Sequence, residues 1–144
     1  MKKIFALLFI LTLSSLCCFS QTANTQLVTV EITNVVVNGG TVYVSIFSNA
    51  QALRRQEANY SFALQPYNIV ISYEITLPHG EYYIGIFQDA NNNGDLDTNF
   101  LGVPRELIGI SNYFGRGLPS NNFDRQKIEV DGTTEIICIG LFRL

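Results

Sequence analysis

Apolar and polar residues alternate along most of the chain between residues 27 and 88. Val28, Val30 and Ile32 occupy every second position of the first run, with polar residues between them. Three later runs share this period of two at their apolar positions: Val42, Val44 and Ile46; Ile69, Ile71, Tyr73, Ile75 and Leu77; Tyr82, Ile84 and Ile86. Because successive side chains of a strand point to opposite faces, this period predicts half-buried β-strands.

Turn-forming residues separate these runs and suggest how the strands connect. Asn38-Gly39-Gly40 follows the first run, and we predict that it joins the first two strands as a hairpin. Residues 49–58 predict a surface connection with a single helical turn. The last run, Ile136 to Leu144, alternates little, which predicts a central strand covered on both faces. About seven strands in about 120 residues favour an all-β fold, an antiparallel two-sheet sandwich of immunoglobulin-like or prealbumin-like type.

The first twenty residues have the order of a secretory signal peptide. Two lysines precede the apolar run 4–11, and small residues follow it. This run is too short to span a bilayer, which needs about 20 residues. We expect cleavage after Ser20, so that one domain over residues 21–144 is exported to the periplasm or the extracellular space. We expect no transmembrane span in that mature chain.

The cysteines offer an alternative fate and one further prediction. Lipidation of Cys17 or Cys18 would make the protein a lipoprotein, but neither Leu16 nor Cys17 is the small residue that usually precedes a lipidated cysteine. We therefore favour a soluble exported form. Loss of the leader leaves Cys138 as the single cysteine of the mature chain. It lies in an apolar run, and we predict that it is buried as a small hydrophobic side chain.

Length and charge narrow the classes of function. The 144 residues are 47% hydrophobic and 15% charged, with a net charge of −3. Without the two leader lysines, seven basic residues face twelve acidic ones, a net charge of −5. Nucleic-acid binding requires clustered positive charge, and Arg54-Arg55 is the one adjacent basic pair of the mature chain. We therefore expect no nucleic-acid partner, and the length excludes a large multidomain enzyme.

The segment 89–97 is the part of the sequence most able to carry chemistry. Its candidate metal ligands stand at loop positions 1, 3, 5, 7 and 9: Asp89, Asn91, Asn93, Asp95 and Asp97. Gly94 at position 6 permits a sharp bend, as in an EF-hand calcium loop. Calcium takes six to eight oxygen ligands, and alternate residues can turn their oxygens inward. Asp95 would contribute its backbone carbonyl.

The match to a calcium loop fails at position 12. Phe100 stands where a bidentate glutamate is expected, and strands rather than helices flank the segment. A further ligand must come from elsewhere, and Glu106 is the nearest acidic candidate downstream. We predict a structural Ca²⁺ site on these residues. The alternative is a turn rich in Asn and Asp, whose side chains bond to their own backbone.

Other chemistry-bearing residues do not form a recognisable set. His79 is the single histidine, and a zinc site needs three or four ligands. No nucleophile motif is present. We therefore favour a non-enzymatic module that binds an envelope or extracellular partner. The alternatives are an exported hydrolase that uses the loop carboxylates and a purely structural envelope protein.

The segment Leu77-Pro78-His79-Gly80-Glu81-Tyr82 resembles the Leu-Pro-x-Gly-x-Tyr turn of transthyretin-like sandwich modules. Together with residues 87–99, 101–106 and 109–112, it is similar to the DUF2141 family of uncharacterised exported bacterial proteins. The resemblance extends from Leu27 to Phe142. It implies a β-sandwich, export, and a single structural unit formed by the Asp/Asn loop and the following Gly-x-Pro-x-Glu segment. It implies no activity.

Overall fold

The computed structural model describes residues 24–115 and 119–144, and the expected signal peptide lies outside them. In chain order the elements of these two ranges are β1 Thr25–Thr33, β2 Thr41–Phe47, α1 Ala50–Arg55, β3 Tyr60–Leu64, β4 Ile71–Pro78, β5 Gly80–Asp89, β6 Leu107–Ile110, α2 Phe123–Gln126, β7 Ile128–Val130 and β8 Ile136–Gly140. One sheet has the order β4-β1-β8. The other has the order β3-β2-β5-β6, and β7 pairs with β5. Neither of the helices described could cross a membrane.

The predicted all-β, two-sheet sandwich is confirmed, with eight strands in the described ranges, and its strand pairs are antiparallel except for β1 with β8. The alternating residues of the first, second, fourth and fifth strands face inward. The core includes Val28, Val30, Ile32, Val42, Val44, Ile46, Ile71, Ile75, Leu77, Ile84 and Ile86, all buried. Strand β6 was missed by the sequence analysis because its four residues include Gly109 and are too few to show a period.

The predicted hairpin between the first two strands is wrong. Strand β1 pairs with β4 and β8, whereas β2 pairs with β3 and β5, so the two strands lie in different sheets. The segment between them crosses the sandwich and bonds elsewhere: the N–H of Val35 donates to Ile69 O, and that of Asn38 to Pro66 O. A period of two identifies a strand and its inner face, but it does not specify the partner strand.

The predicted central position of the last strand is also wrong. Strand β8 is an edge strand, parallel to β1, and its residues alternate between exposed and buried. Ile137 and Ile139 point into the core, and Ile136 is 59% exposed. When every residue of a run is apolar, hydrophobicity does not show which alternate side chains face inward. In β8 the outward-facing side chains are exposed to solvent.

Cys138 belongs to that outer half, so the prediction that it is buried is wrong. Its thiol is exposed and lies 3.6 Å from Oε1 of Glu31, on the neighbouring strand β1. Partial desolvation is the largest cause that raises the pKa of this thiol. The negative charge of Glu31 and its hydrogen bond with the thiol raise this pKa further. The thiolate, which is the nucleophilic form, is therefore disfavoured.

The connection between β4 and β5 moves the chain from one sheet to the other. Strand β4 ends at Pro78 and β5 begins at Gly80, with His79 exposed between them. The hydroxyl of Tyr82 donates to Pro78 O at 2.8 Å and closes this turn. Burial of the Tyr82 ring is the main cause that raises the pKa of its phenol, and electrostatic repulsion from the nearby Tyr60 raises this pKa further.

Short helices cover part of the outer face of the five-stranded sheet. Helix α1 lies within the surface connection predicted for residues 49–58, and the side chain of Asn49 accepts hydrogen bonds at its N-terminus. Phe123 of α2 packs in a second apolar cluster with Phe47, Tyr83 and Ile110. Burial in this cluster raises the pKa of Tyr83 to about 12.

Two contacts fix the crossing segment 34–40 against the end of β5. Gln88, 2% exposed, accepts from Val36 N at 3.0 Å and donates to Val36 O at 2.7 Å. Gly40 has φ +96°, and a Cβ at this position would lie 1.8 Å from the carbonyl oxygen of Asp89. The turn before β2 is therefore packed directly on the backbone where the polar loop begins.

Gly40→Ala should destabilise the protein more than Gly94→Ala. Both glycines have positive φ, so each substitution costs about 1–2 kcal/mol of unfolding free energy. At Gly94 nothing lies within 4 Å of the added Cβ. At Gly40 the clash with Asp89 should add about 1–3 kcal/mol. Urea unfolding measures both values, and equal losses would contradict the close packing of the turn on β5.

Candidate functional site

The candidate site is the segment between β5 and β6, residues 90–106. Its backbone enters the left-handed region at Asn92, Gly94 and Gly102, with φ of 57°, 86° and 76°. Asn and Gly are the residues that adopt this conformation with least strain. The Asp/Asn/Gly composition therefore allows the chain to reverse sharply within a few residues.

A buried carboxylate, Asp89, organises the first turn of the loop. It is the last residue of β5 and is 0% exposed. Its Oδ1 accepts a hydrogen bond from the N–H of Asn93 at 3.3 Å, and its Oδ2 accepts one from Gly94 at 2.7 Å. Charge-assisted hydrogen bonds of this kind are stronger than neutral ones. The side chain thus closes residues 89–94 into a compact turn.

A second buried carboxylate, Glu106, closes the loop from its other end. It directly precedes β6 and is 5% exposed. Its Oε1 accepts from Ala90 N at 2.9 Å, and its Oε2 accepts from Asp97 N at 3.2 Å. Within residues 24–115 and 119–144 neither Glu106 nor Asp89 forms an ion pair. Backbone N–H groups supply the hydrogen bonds to both charges.

The side chains of Asn91, Asn93 and Asp97 bond to one another and to the backbone of the same loop. Asn91 Oδ1 accepts from Asn93 N at 3.1 Å, and Asn93 Oδ1 accepts from Asp95 N at 2.9 Å. Nδ2 of Asn91 donates to Asp97 Oδ2 at 2.6 Å, and Nδ2 of Asn93 donates to Asp97 Oδ1 at 3.3 Å. The Asp95 carboxylate is exposed and has no hydrogen-bond partner in the described ranges.

The six predicted calcium ligands therefore have different environments. Five belong to one hydrogen-bonded network, namely Asp89, Asn91, Asn93, Asp97 and Glu106. The side chain of Asp95 stays outside it. In the part of the chain that the structure describes, no three Asp, Glu, His or Cys side chains form a group placed to hold a metal. The observed bonds are those of an Asn- and Asp-rich turn, and calcium binding stays a prediction.

The second half of the loop is a tight hairpin with an apolar end. Thr98 and Pro104 form a β-bridge, and Asn99 accepts at its side-chain oxygen from Leu101 N at 2.9 Å and from Val103 N at 3.0 Å. The hairpin presents Phe100 and Leu101, whose side chains are 94% and 72% exposed. We call these two residues the apolar tip.

A groove of about 270 Å³ lies beside the first half of the loop. Its lining residues come from three separate turns: Asn38, Gly40, Gln65, Pro66, Tyr67 and Asn92. Oδ1 of Asn92 accepts from both the N–H and the hydroxyl of Thr41, each at 3.2 Å. The loop is thereby attached to the first residue of β2. We call this feature the Tyr67 groove.

Sequence reasoning missed this groove and the role of Gln88. The signal for Gln88 was available, because it continues the inward register of Tyr82, Ile84 and Ile86 and is polar. A polar residue at an inward position requires a hydrogen-bond partner. No comparable signal identified Tyr67, since the turns that line the groove meet only in the folded chain.

The comparison with protein families decides the classification. The family described as an uncharacterized protein conserved in bacteria, DUF2141, matches residues 30–137. The chain belongs to the DUF2141 family. In this DUF2141 protein the matched region runs from within β1 into β8 and contains the whole polar loop and the Tyr67 groove. No curated protein and no solved structure matched the chain.

Glu106→Gln should destabilise this DUF2141 protein by about 1–3 kcal/mol, because one of two backbone N–H donors would then face an amide nitrogen. Glu129→Gln is the matched control, since Glu129 is exposed on β7. It should change the unfolding free energy by less than about 0.5 kcal/mol. Urea denaturation measures both. A Glu106→Gln variant as stable as the control would show that this carboxylate does not hold the loop.

Proposed function

We propose that the protein is an exported, non-enzymatic binding module of the cell envelope that contacts an envelope partner through the apolar tip. The observation that carries this proposal is the exposure of Phe100 and Leu101 on a hairpin that is held by internal hydrogen bonds. Single exposed apolar residues are common on protein surfaces. Two adjacent ones on an ordered hairpin form a preorganised contact.

The burial of two of the loop carboxylates, Asp89 and Glu106, argues against their use as the acid and base of a hydrolase. A carboxylate that acts as a general acid or base must come within hydrogen-bond reach of the substrate. Asp89 and Glu106 are 0% and 5% exposed, and both accept bonds from backbone N–H groups. They are placed to hold the loop in shape rather than to meet a substrate.

Export is the second part of the proposal, and its support is the sequence of residues 1–20. The two lysines, the short apolar run and the small residues that follow have the order of a cleaved leader. A periplasmic or extracellular location would place the apolar tip where envelope components are accessible.

We also propose that Ca²⁺ stabilises the loop. Two observations support this: the spacing of the candidate ligands, and the burial of Asp89 and Glu106 without an ion pair in the described ranges. Buried charges are usually paired or bound to metals. Calcium would have to replace the Asn91 and Asn93 amide contacts with Asp97, so the expected affinity is weak, with a Kd of about 10⁻⁴–10⁻³ M.

About 10 mM Ca²⁺ should therefore raise Tm by a few degrees, because binding to the folded state stabilises it by mass action. Asp97→Ala should abolish this shift. The matched control is Asp95→Asn, whose carboxylate lies outside the network and which would ligate through its backbone carbonyl, so it should retain the shift. If the wild type melts at the same temperature with and without Ca²⁺, the calcium proposal is refuted. The turn is then held by its own hydrogen bonds alone.

The apolar tip is tested by binding of the purified mature protein to isolated cell envelopes. Phe100→Ser with Leu101→Ser should lower the sedimented fraction at least about fivefold, since a few buried apolar residues carry most of the energy of an interface. The control replaces Leu27 and Ile136 with Ser, because these side chains are 58% and 59% exposed on the other sheet. Equal loss in both variants, or no sedimentation of the wild type, would contradict the proposal.

A further inference from the structure

The Tyr67 groove combines an exposed aromatic ring with uncharged polar side chains. Tyr67 is 76% exposed, although tyrosine rings usually bury most of their surface. Three amide side chains share the lining with it, those of Asn38, Gln65 and Asn92. Apart from the Tyr67 phenol, no lining residue is ionisable.

Several polar atoms of the groove have no partner in the described parts of the protein. Asn92 uses its Oδ1 for Thr41, which leaves its Nδ2 without an acceptor. Gln65 donates its Nε2 to Thr41 Oγ1 at 3.2 Å, which leaves its Oε1 without a donor. In the described ranges the Asn38 side chain has neither a donor nor an acceptor as partner. The groove thus offers amide donors and acceptors next to an aromatic face.

The backbone around these side chains is fixed before any ligand binds. Asn38 and Asn92 both adopt the left-handed conformation, with φ of 55° and 57°. The N–H of Asn38 donates to Pro66 O at 3.1 Å, which connects two of the turns that line the groove. A preformed site loses less conformational entropy on binding.

We propose that the Tyr67 groove binds a neutral saccharide. A sugar ring has an apolar face of C–H groups, which an aromatic ring can cover, and an edge of hydroxyl groups, which amides can bond as donors and acceptors. The volume of about 270 Å³ is just below the roughly 300–1,000 Å³ of typical small-molecule sites and suits a single sugar unit. The uncharged lining offers no counter-ion to an anionic sugar.

The experiment is calorimetric titration of the purified mature protein with four uncharged hexasaccharides, built from glucose, mannose, xylose or N-acetylglucosamine. At least one should bind. Its Kd should change less than about twofold between about 50 and 500 mM NaCl, because screening acts on charges. A hexasaccharide of galacturonic acid, which is anionic, should not bind.

Three variants assign the binding to the groove. Tyr67→Ala should weaken it at least about tenfold, because it removes the aromatic anchor, whereas Tyr67→Phe should retain most of it. Phe114→Ala is the matched control, since Phe114 is an exposed aromatic residue outside both the groove lining and the apolar tip, and it should leave the Kd unchanged. Circular dichroism identical to the wild type shows that each variant is folded.

The proposal is overturned if no neutral hexasaccharide binds, if binding survives Tyr67→Ala, or if Phe114→Ala weakens it equally. It is also overturned if an uncharged hexapeptide of Gly, Ser and Asn binds in a Tyr67-dependent manner and the saccharides do not. These results would be distinct from a result that contradicts envelope binding through the apolar tip. Envelope binding that persists in Tyr67→Ala but is lost in the Phe100/Leu101 double variant would leave the proposed function intact.

Discussion

The burial of two carboxylates against backbone N–H groups is the constraint on which the loop between β5 and β6 of this DUF2141 protein depends. Asp89 ends β5 and Glu106 precedes β6, so each charge lies at one end of the same loop. An unsatisfied buried charge would be very costly. The loop must therefore keep its N–H groups turned toward these oxygens, which restricts its conformation more than its polar composition suggests.

This restricted loop positions two separate surfaces. Through Asn92 it binds Thr41 and completes the Tyr67 groove, and through residues 98–104 it presents the apolar tip. The contact of Gly40 with Asp89 joins the loop to the segment that crosses between the sheets. The sandwich core acts as the scaffold, and both proposed binding surfaces belong to loops at its edge, where binding residues are commonly found.

The sequence predicted the features that depend on residues close to one another along the chain. The inward faces of β1 and β2 follow from alternation alone, and the loop spacing placed Asp89 and Asn93 in one turn. Pairing was not predictable, because β1 could have joined β2 or β4 with the same pattern. The meeting of Tyr67 with Asn92 depends on contacts between distant segments, which form only in the folded chain.

Native-state hydrogen exchange tests most directly whether the loop is held as described. The amides of Ala90, Gly94 and Asp97 donate to the buried carboxylates. The account predicts that they exchange within about tenfold of the rates of the paired β5 amides, because they should open only with the sheet. Exchange of all three at the rate of an unstructured peptide, while β5 stays protected, would contradict it.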